Sequence, residues 1–327
     1  MKKRDKYLIT GGAGFIGSHL ADFLVDRGHY VSIIDNLSTG RWANVEAIES
    51  KKGVEIYIDT ILNEGLLDSL IRECDAVFHL ASAVGVKLVM ERPVSTVETI
   101  VKGTDVVLAM CSRYRKPVLI TSSSEVYGKS EKVPFSEEDD CVVGATEKRR
   151  WAYACAKALD EFLALAHYYE TDLPVRIVRL FNTVGPRQTG RYGMVLPTLI
   201  RQALRNEELT IHGDGSQTRC FCDVSDIVSA IYEVMETPEC IGQVINLGST
   251  DEISIRDLAF TVIEVLGSKS ELQFVPYREV YGNGFDDMQR RVPDLSRAKS
   301  LIDFKPRVKL KNTILRTAHY LNENRST

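Results

Sequence analysis

Thr10-Gly11-Gly12-Ala13-Gly14-Phe15-Ile16-Gly17 lies between a short apolar run, Tyr7–Thr10, and an amphipathic stretch, Ser18–Arg27. Glycines that end a strand and open a helix mark the joint of a β-α unit. Outward from this joint, Val31–Asp35, Ala76–Leu80 and Val118–Thr121 form further strand-like runs separated by helical stretches. Such alternation requires right-handed crossovers and therefore a parallel sheet with helices on both faces. The expected fold is α/β, a doubly wound parallel sheet.

The alternation continues through a helical run, Asp160–Glu170, and a strand, Val175–Leu180, and then breaks down. Beyond Asn182 the chain is punctuated by Pro186, Gly190, Gly193 and Pro197, a helix Leu199–Asn206, and the turn His212-Gly213-Asp214-Gly215. This pattern suits a smaller C-terminal substrate-binding α/β lobe. The expected division is 1–180 for the sheet domain and 181–327 mainly for the lobe, with Asp226–Met235 and Gln243–Leu247 as segments that fold back on the first domain.

The 327 residues allow one large or two modest cores, and 44% hydrophobic with 26% charged residues is ordinary globular composition. The formal charge of −4 comes from interspersed acids and bases, so nucleic acid is not expected as a partner. The N-terminal apolar run is too short for a signal peptide or a membrane span, which makes the cytoplasm the expected location. Seven cysteines lack metal-ligand spacing; Cys220-Phe221-Cys222 reads as two small strand residues, and no metal site is expected.

The glycine stretch has the pattern of a Rossmann dinucleotide site. Gly11 permits the tight turn, Gly14 lets backbone N–H groups approach a pyrophosphate, and Gly17 allows close packing, with Phe15 and Ile16 between them as further cofactor contacts and the positive end of the following helix facing the phosphates. Asp35 closes the second strand eighteen residues after Gly17, where a carboxylate accepts hydrogen bonds from an adenosine ribose and repels the 2′-phosphate of NADP. NAD is the expected cofactor, with Asn36 beside Asp35 in the same site. The alternative for Asp35 is a cap on the following loop. Asp59, after the strand Glu55–Ile58, is placed either at the adenine or in a solvated turn.

Tyr153 and Lys157 are four residues apart, on one face of a helical stretch that begins near Trp151. A lysine ammonium beside a tyrosine is expected to lower the phenol's pKa and make it a base. At the end of the strand Val118–Thr121 stands Ser122-Ser123-Ser124-Glu125-Val126-Tyr127-Gly128, a hydroxyl cluster at the sheet edge where ligands bind. Together with the glycine stretch, these motifs resemble the extended short-chain dehydrogenase/reductase family of NAD-dependent nucleotide-sugar epimerases, decarboxylases and dehydratases. Matching segments also include His79-Leu80-Ala81, Arg179–Pro186, Gly213–Arg219 and Arg290–Asp294.

The resemblance implies Ser123, Tyr153 and Lys157 as a catalytic triad, with Tyr153 and Lys157 also touching the cofactor, Leu80 and Ala81 near the nicotinamide half, Asn182 near the substrate diphosphate, and Arg219 with Arg291 clamping it, with Ser123 and Ser124 toward the sugar. Members oxidise C4 to a ketone, whose fate separates the functions. Family dehydratases carry Asp-Glu after the catalytic hydroxyl, where this chain has Ser124-Glu125, which disfavours dehydration. Ser124-Glu125 and Lys148–Tyr153 resemble UDP-glucuronate decarboxylases, whereas Asn182–Gln188 with Tyr192–Val195 resembles 4-epimerases acting on UDP-glucose or UDP-glucuronate. The epimerase is weighed slightly above the decarboxylase, and a non-catalytic NAD-binding sensor or scaffold is the reading from another class.

Glu125 either assists decarboxylation or is a hydrogen-bond partner. Arg187 and Arg191 either pair with a sugar carboxylate or are solvated. Two positions depart from the family pattern: Thr99, where Asn is usual, and Lys87, whose cation favours a sugar carboxylate unless it is simply a surface lysine. The family also implies a homodimer through the faces Thr96–Cys111 and Trp151–Tyr168, although their apolar residues suit a sheet-facing core equally well.

Overall fold

A computed structural model describes residues 4–82, 92–190, 193–281 and 288–323. Its main sheet contains β1 (Lys6–Thr10), β2 (Tyr30–Ile34), β3 (Val54–Tyr57), β4 (Ala76–His79), β5 (Val118–Ser123), β6 (Val175–Leu180) and the strand Val244–Leu247. All neighbours are parallel, in the order Val244–Leu247, β6, β5, β4, β1, β2, β3. Chain direction across the sheet reverses between β1 and β4, and that switch point opens a crevice at the carboxyl ends of the strands.

Alternate residues of each strand feed opposite cores. Tyr7 and Ile9 of β1 face a cluster with Leu20, Leu24 and Phe78, while Leu8 between them faces Ile34, Val77, Ile120 and Ile177. Each fully buried aliphatic chain of this kind contributes roughly 1.5–3 kcal/mol by transfer from water. The helix Phe15–Asp26 starts ahead of the expected Ser18, because the glycine turn passes directly into the first helical turn at Phe15. The long helix Ala152–Thr171 extends well before Asp160 and carries Tyr153 and Lys157 in its first two turns.

The second half of the chain contributes to both lobes. Helix Val224–Glu236 buries Val224, Ile227, Ile231 and Val234 against the same sheet face as helix Phe15–Asp26, and Ile245 with Leu247 completes that core. A separate core is made by helices Val195–Leu204, Ile255–Leu266 and Leu310–Glu323, with Leu209 and Ile211 from a short strand. Asp223 ties the two regions: its carboxylate accepts from Ser225 N at 2.9 Å, from Thr313 Oγ1 at 2.8 Å, and from Arg316 Nη1 at 3.1 Å. Among the described residues, no helix is long and apolar enough to cross a membrane. Cys220 and Cys222 are buried free thiols on two short strands.

Candidate active site

The glycine turn is shaped by contacts that exclude side chains. Gly11 has φ +71°, and a Cβ there would lie 2.7 Å from Ala81 N; a Cβ on Gly17 would lie 2.3 Å from Gly11 O. Gly17 is thus required by the turn's own backbone rather than by the sheet. Gly14 is the N-cap of helix Phe15–Asp26, which has no side-chain cap and no acid in its first turn. The first-turn N–H groups, including those of Phe15 and Ile16, have no intrahelical acceptors and point at the crevice with the positive end of the helix. A narrow, uncapped and uncharged cradle of this kind fits a dinucleotide pyrophosphate.

Asp35 is buried behind this turn, with Oδ2 accepting from Ala13 N at 2.9 Å and Oδ1 from Leu37 N at 2.8 Å. Burial raises its pKa, and these backbone bonds counter the rise. The carboxylate therefore braces two loops, which includes the capping role that the sequence left open. Asn36 Oδ1 accepts from Ser38 N at 3.0 Å on the surface. Asp59 is occupied in its own turn, accepting from Thr60 N at 2.7 Å and from Asn63 Nδ2 at 2.8 Å. Leu80 and Ala81 follow β4 directly, and Ala81 N donates to Thr10 Oγ1 at 3.2 Å.

Across the switch point, β5 ends at Ser123, whose Oγ accepts from Glu125 N at 3.2 Å and shares a hydrogen bond with the Tyr153 hydroxyl. Ser124, only 1% exposed, is turned into the interior, so the structure does not support its expected contact with substrate. Burial pushes the Tyr153 phenol up, the Ser123 bond pulls it down, and the charges of Glu125 and Asp160 push it up again. The expected lowering by lysine is corrected here: the buried Lys157 ammonium donates to Asp160 Oδ2 at 3.1 Å, so its charge is largely balanced.

Glu125 is held by two arginines. Its carboxylate takes Arg150 Nη1 at 2.7 Å on Oε2 and Arg291 Nη2 at 2.6 Å on Oε1, so Arg291 is anchored through one of its donors to Glu125. Burial alone would raise Glu125, but the two guanidinium charges overcome it and hold the carboxyl far below its usual range. All three side chains are nearly buried. Arg150 was not singled out by its spacing, although it stands one helical turn before Tyr153.

The remaining candidates are more scattered. Asn182 Nδ2 donates to Cys220 O at 3.2 Å, and Arg219 Nη1 to Thr218 O at 2.8 Å. Arg187, with φ +67°, pairs through Nη2 with Asp22 at 2.8 Å on helix Phe15–Asp26. Lys87 and Arg191 lie outside the described residues. Among those described, no group of three His, Cys, Asp or Glu residues is placed to hold a metal.

A scan of family models matches residues 8–317 to GDP-mannose 4,6 dehydratase. The chain is 43% identical to UDP-N-acetyl-alpha-D-glucosaminuronate decarboxylase of Bacillus cytotoxicus, covering 99% of each chain. It is 37% identical to UDP-glucuronic acid decarboxylase 1 of Xenopus tropicalis, covering 98% of this chain and 73% of that one. Among solved structures, UDP-glucuronic acid 4-epimerase of Bacillus cereus, in complex with UDP-glucuronic acid and NAD, superposes with a TM-score of 0.87 at 28% identity, covering 97% of this chain and 99% of that one.

Proposed function

The chain belongs to the family described as GDP-mannose 4,6 dehydratase, the extended short-chain dehydrogenases/reductases that act on nucleotide sugars, and on that premise we propose that it is an NAD-dependent decarboxylase of a UDP-linked hexuronate. The observation that carries the uronate substrate is the Arg150–Glu125–Arg291 cluster beside Tyr153; the choice of decarboxylation over epimerisation rests on the relatives. The cluster sets two guanidinium groups beside Tyr153 in a buried setting, where such donors recognise an anionic sugar far more strongly than they would in water. The two decarboxylases at 43% and 37% identity support the same outcome. The 4-epimerase reading, placed first on sequence, rests on structural likeness at 28% identity and becomes the alternative.

Bound NAD would supply the acceptor, and later the donor, of the C4 hydride. Tyr153, hydrogen-bonded to Ser123, takes the proton of the C4 hydroxyl as the ketone forms. The hexuronate carboxylate is then β to a ketone. Its C5–C6 bond breaks, carbon dioxide leaves, and the electron pair passes to the C4 oxygen as an enolate, which Ser123 and the nearby cations stabilise until C5 is protonated. Gly11, Gly14, Gly17, Phe15 and Ile16 would hold the pyrophosphate, with Asp35 the feature that favours NAD over NADP. Asn182 and Arg219 remain our candidates for the substrate diphosphate.

The test follows UDP-glucuronate, UDP-N-acetylglucosaminuronate and UDP-glucose separately by NMR with the protein. Carbon dioxide and a pentose or 4-keto-pentose product are expected from a uronate and nothing from UDP-glucose. A galacto isomer formed without loss of carbon would restore the epimerase, and inertness toward all three would reject the substrate class. Glu125→Gln separates the two roles of that carboxylate: if Glu125 assists decarboxylation, carbon dioxide release stops while bound NAD is still reduced, and if it only aligns the two arginines, release continues with a modest loss. We also propose a homodimer through helices Pro93–Tyr114 and Ala152–Thr171, supported by the exposed Val94, Leu159 and Phe162. A sedimentation mass of one 36.7 kDa chain would reject it.

A further inference from the structure

Asp160 and Glu161 are adjacent buried acids on the catalytic helix, and they are satisfied in different ways. Glu161 is held bidentately by Arg179, with Nε at 3.0 Å from Oε1 and Nη2 at 2.7 Å from Oε2, and also accepts from Ser122; this arrangement joins the helix to β5 and β6. Asp160, 0% exposed, holds the Lys157 ammonium at 3.1 Å and takes a hydrogen bond from Thr104 on helix Pro93–Tyr114. Thr104 Oγ1 is in turn 3.2 Å from His79 Nε2, and His79 Nδ1 is 2.8 Å from Thr10 Oγ1. Both ring nitrogens of neutral His79 are satisfied if Nε2–H donates to Thr104 and Thr10 donates to Nδ1, which leaves the Thr104 hydroxyl to donate toward Asp160. The chain of bonds runs from the glycine turn to the catalytic lysine.

We propose that Asp160 is a positioning residue: through its carboxylate, braced by Thr104 and His79, it fixes the Lys157 ammonium and retains the proton of the Tyr153–Lys157 pair. The proposal deepens the catalytic reading of Tyr153 and rests on it. A reaction that takes a proton at C4 and later returns it needs a pair that does not lose that proton to solvent between the two steps. A fixed negative charge beside the lysine opposes that loss. The other charged groups facing the pair are Glu125, Arg150 and Arg291 on the substrate side, while Glu161, next to Asp160, is neutralised by Arg179, and His79 is buried and neutral.

The test uses full-length Asp160→Asn and Asp160→Glu loaded with NAD. The proton equilibrium of the pair is followed without substrate by NMR of 13C-labelled tyrosine and lysine side chains, with Tyr153→Phe and Lys157→Met assigning the signals. In Asp160→Asn the pair is expected to lose its first proton roughly one pH unit lower than in the parent protein, and Asp160→Glu to restore it. The acid limb of the rate profile for C4 oxidation should move by the same amount. A midpoint unchanged within a few tenths of a unit, with only stability or rate reduced, would overturn the proposal. If Asn prevents folding, Asp160→Ser, which removes the charge and leaves room for water, carries the same expectation. Failure of the decarboxylase reading would show instead as no turnover by the parent protein, leaving the NMR comparison intact.

Discussion

The cofactor cradle and the substrate cleft lie on opposite sides of one switch point and are built by different means. The cradle is made of backbone: Gly11 and Gly17 are required because atoms of the chain itself occupy the space of a side chain. The cleft is made of charge: Glu125 between two arginines, Lys157 against Asp160, and Glu161 against Arg179. Steric demands act on one position at a time, whereas charge demands act on pairs. A substitution in the cradle should therefore release the cofactor, while one in the cleft should stop chemistry with the cofactor still bound.

The largest expected effect tests that separation directly. Tyr153→Phe removes only the phenol oxygen and should reduce turnover by roughly 10²–10⁴-fold, with NAD still retained by absorbance after desalting. Loss of NAD in this variant would mean that the cleft also holds the cofactor. Next is Gly17→Ala, whose methyl group would sit 2.3 Å from Gly11 O. Overpacking of this kind costs about 1–3 kcal/mol, expected as a lower Tm together with loss of retained NAD. An alanine variant that keeps both would refute the steric account of the cradle.

The seam between the regions can be probed with acid. Burial first, and then the Lys157 charge, hold His79 neutral with its pKa lowered to about 3. Because the unfolded chain takes up this proton near pH 6.5, the stability due to neutral His79 is intact above that pH and is lost progressively as pH falls toward about 3. At pH 5 the loss is about 2 kcal/mol. Thermal melts at pH 7 and pH 5 should show a smaller fall in His79→Gln than in the parent protein, and equal falls would assign the acid sensitivity elsewhere. The smallest effect is expected for Arg187→Ala, which breaks a partly exposed pair with Asp22. It should cost less than about 1 kcal/mol and leave KM unchanged. A large rise in KM would show that Arg187 reaches the sugar after all.

The same contrast explains what the sequence made legible. The order of strands β1 to β6, the glycine turn, Asp35 and the Tyr153–Lys157 spacing are local patterns, each readable within a single element. Arg150, Asp160 and the role of Arg291 were not, because their meaning depends on partners brought from elsewhere in the fold; Arg291 meets Glu125 across 166 positions of sequence. The expectation that Lys157 lowers the Tyr153 phenol failed for the same reason. Spacing places the two on one helical face but gives no sign that Asp160, one turn further along, takes up the lysine's charge. Decarboxylation and epimerisation begin with the same C4 oxidation, so motif resemblance pointed to both.

The return of Val224–Leu247 to the main sheet has a consequence for the order in which the protein can be made. When residues 1–180 have left the ribosome, six strands are present, but β6 still lacks its neighbour Val244–Leu247 and the sheet face around Tyr7, Ile9 and Phe78 lacks the helix Val224–Glu236. The nascent sheet must therefore wait, with apolar surface and one strand edge exposed, while more than sixty further residues are translated. Sites elsewhere in the growing chain can be shaped early, but this half of the protein is sealed only by residues that belong to the other.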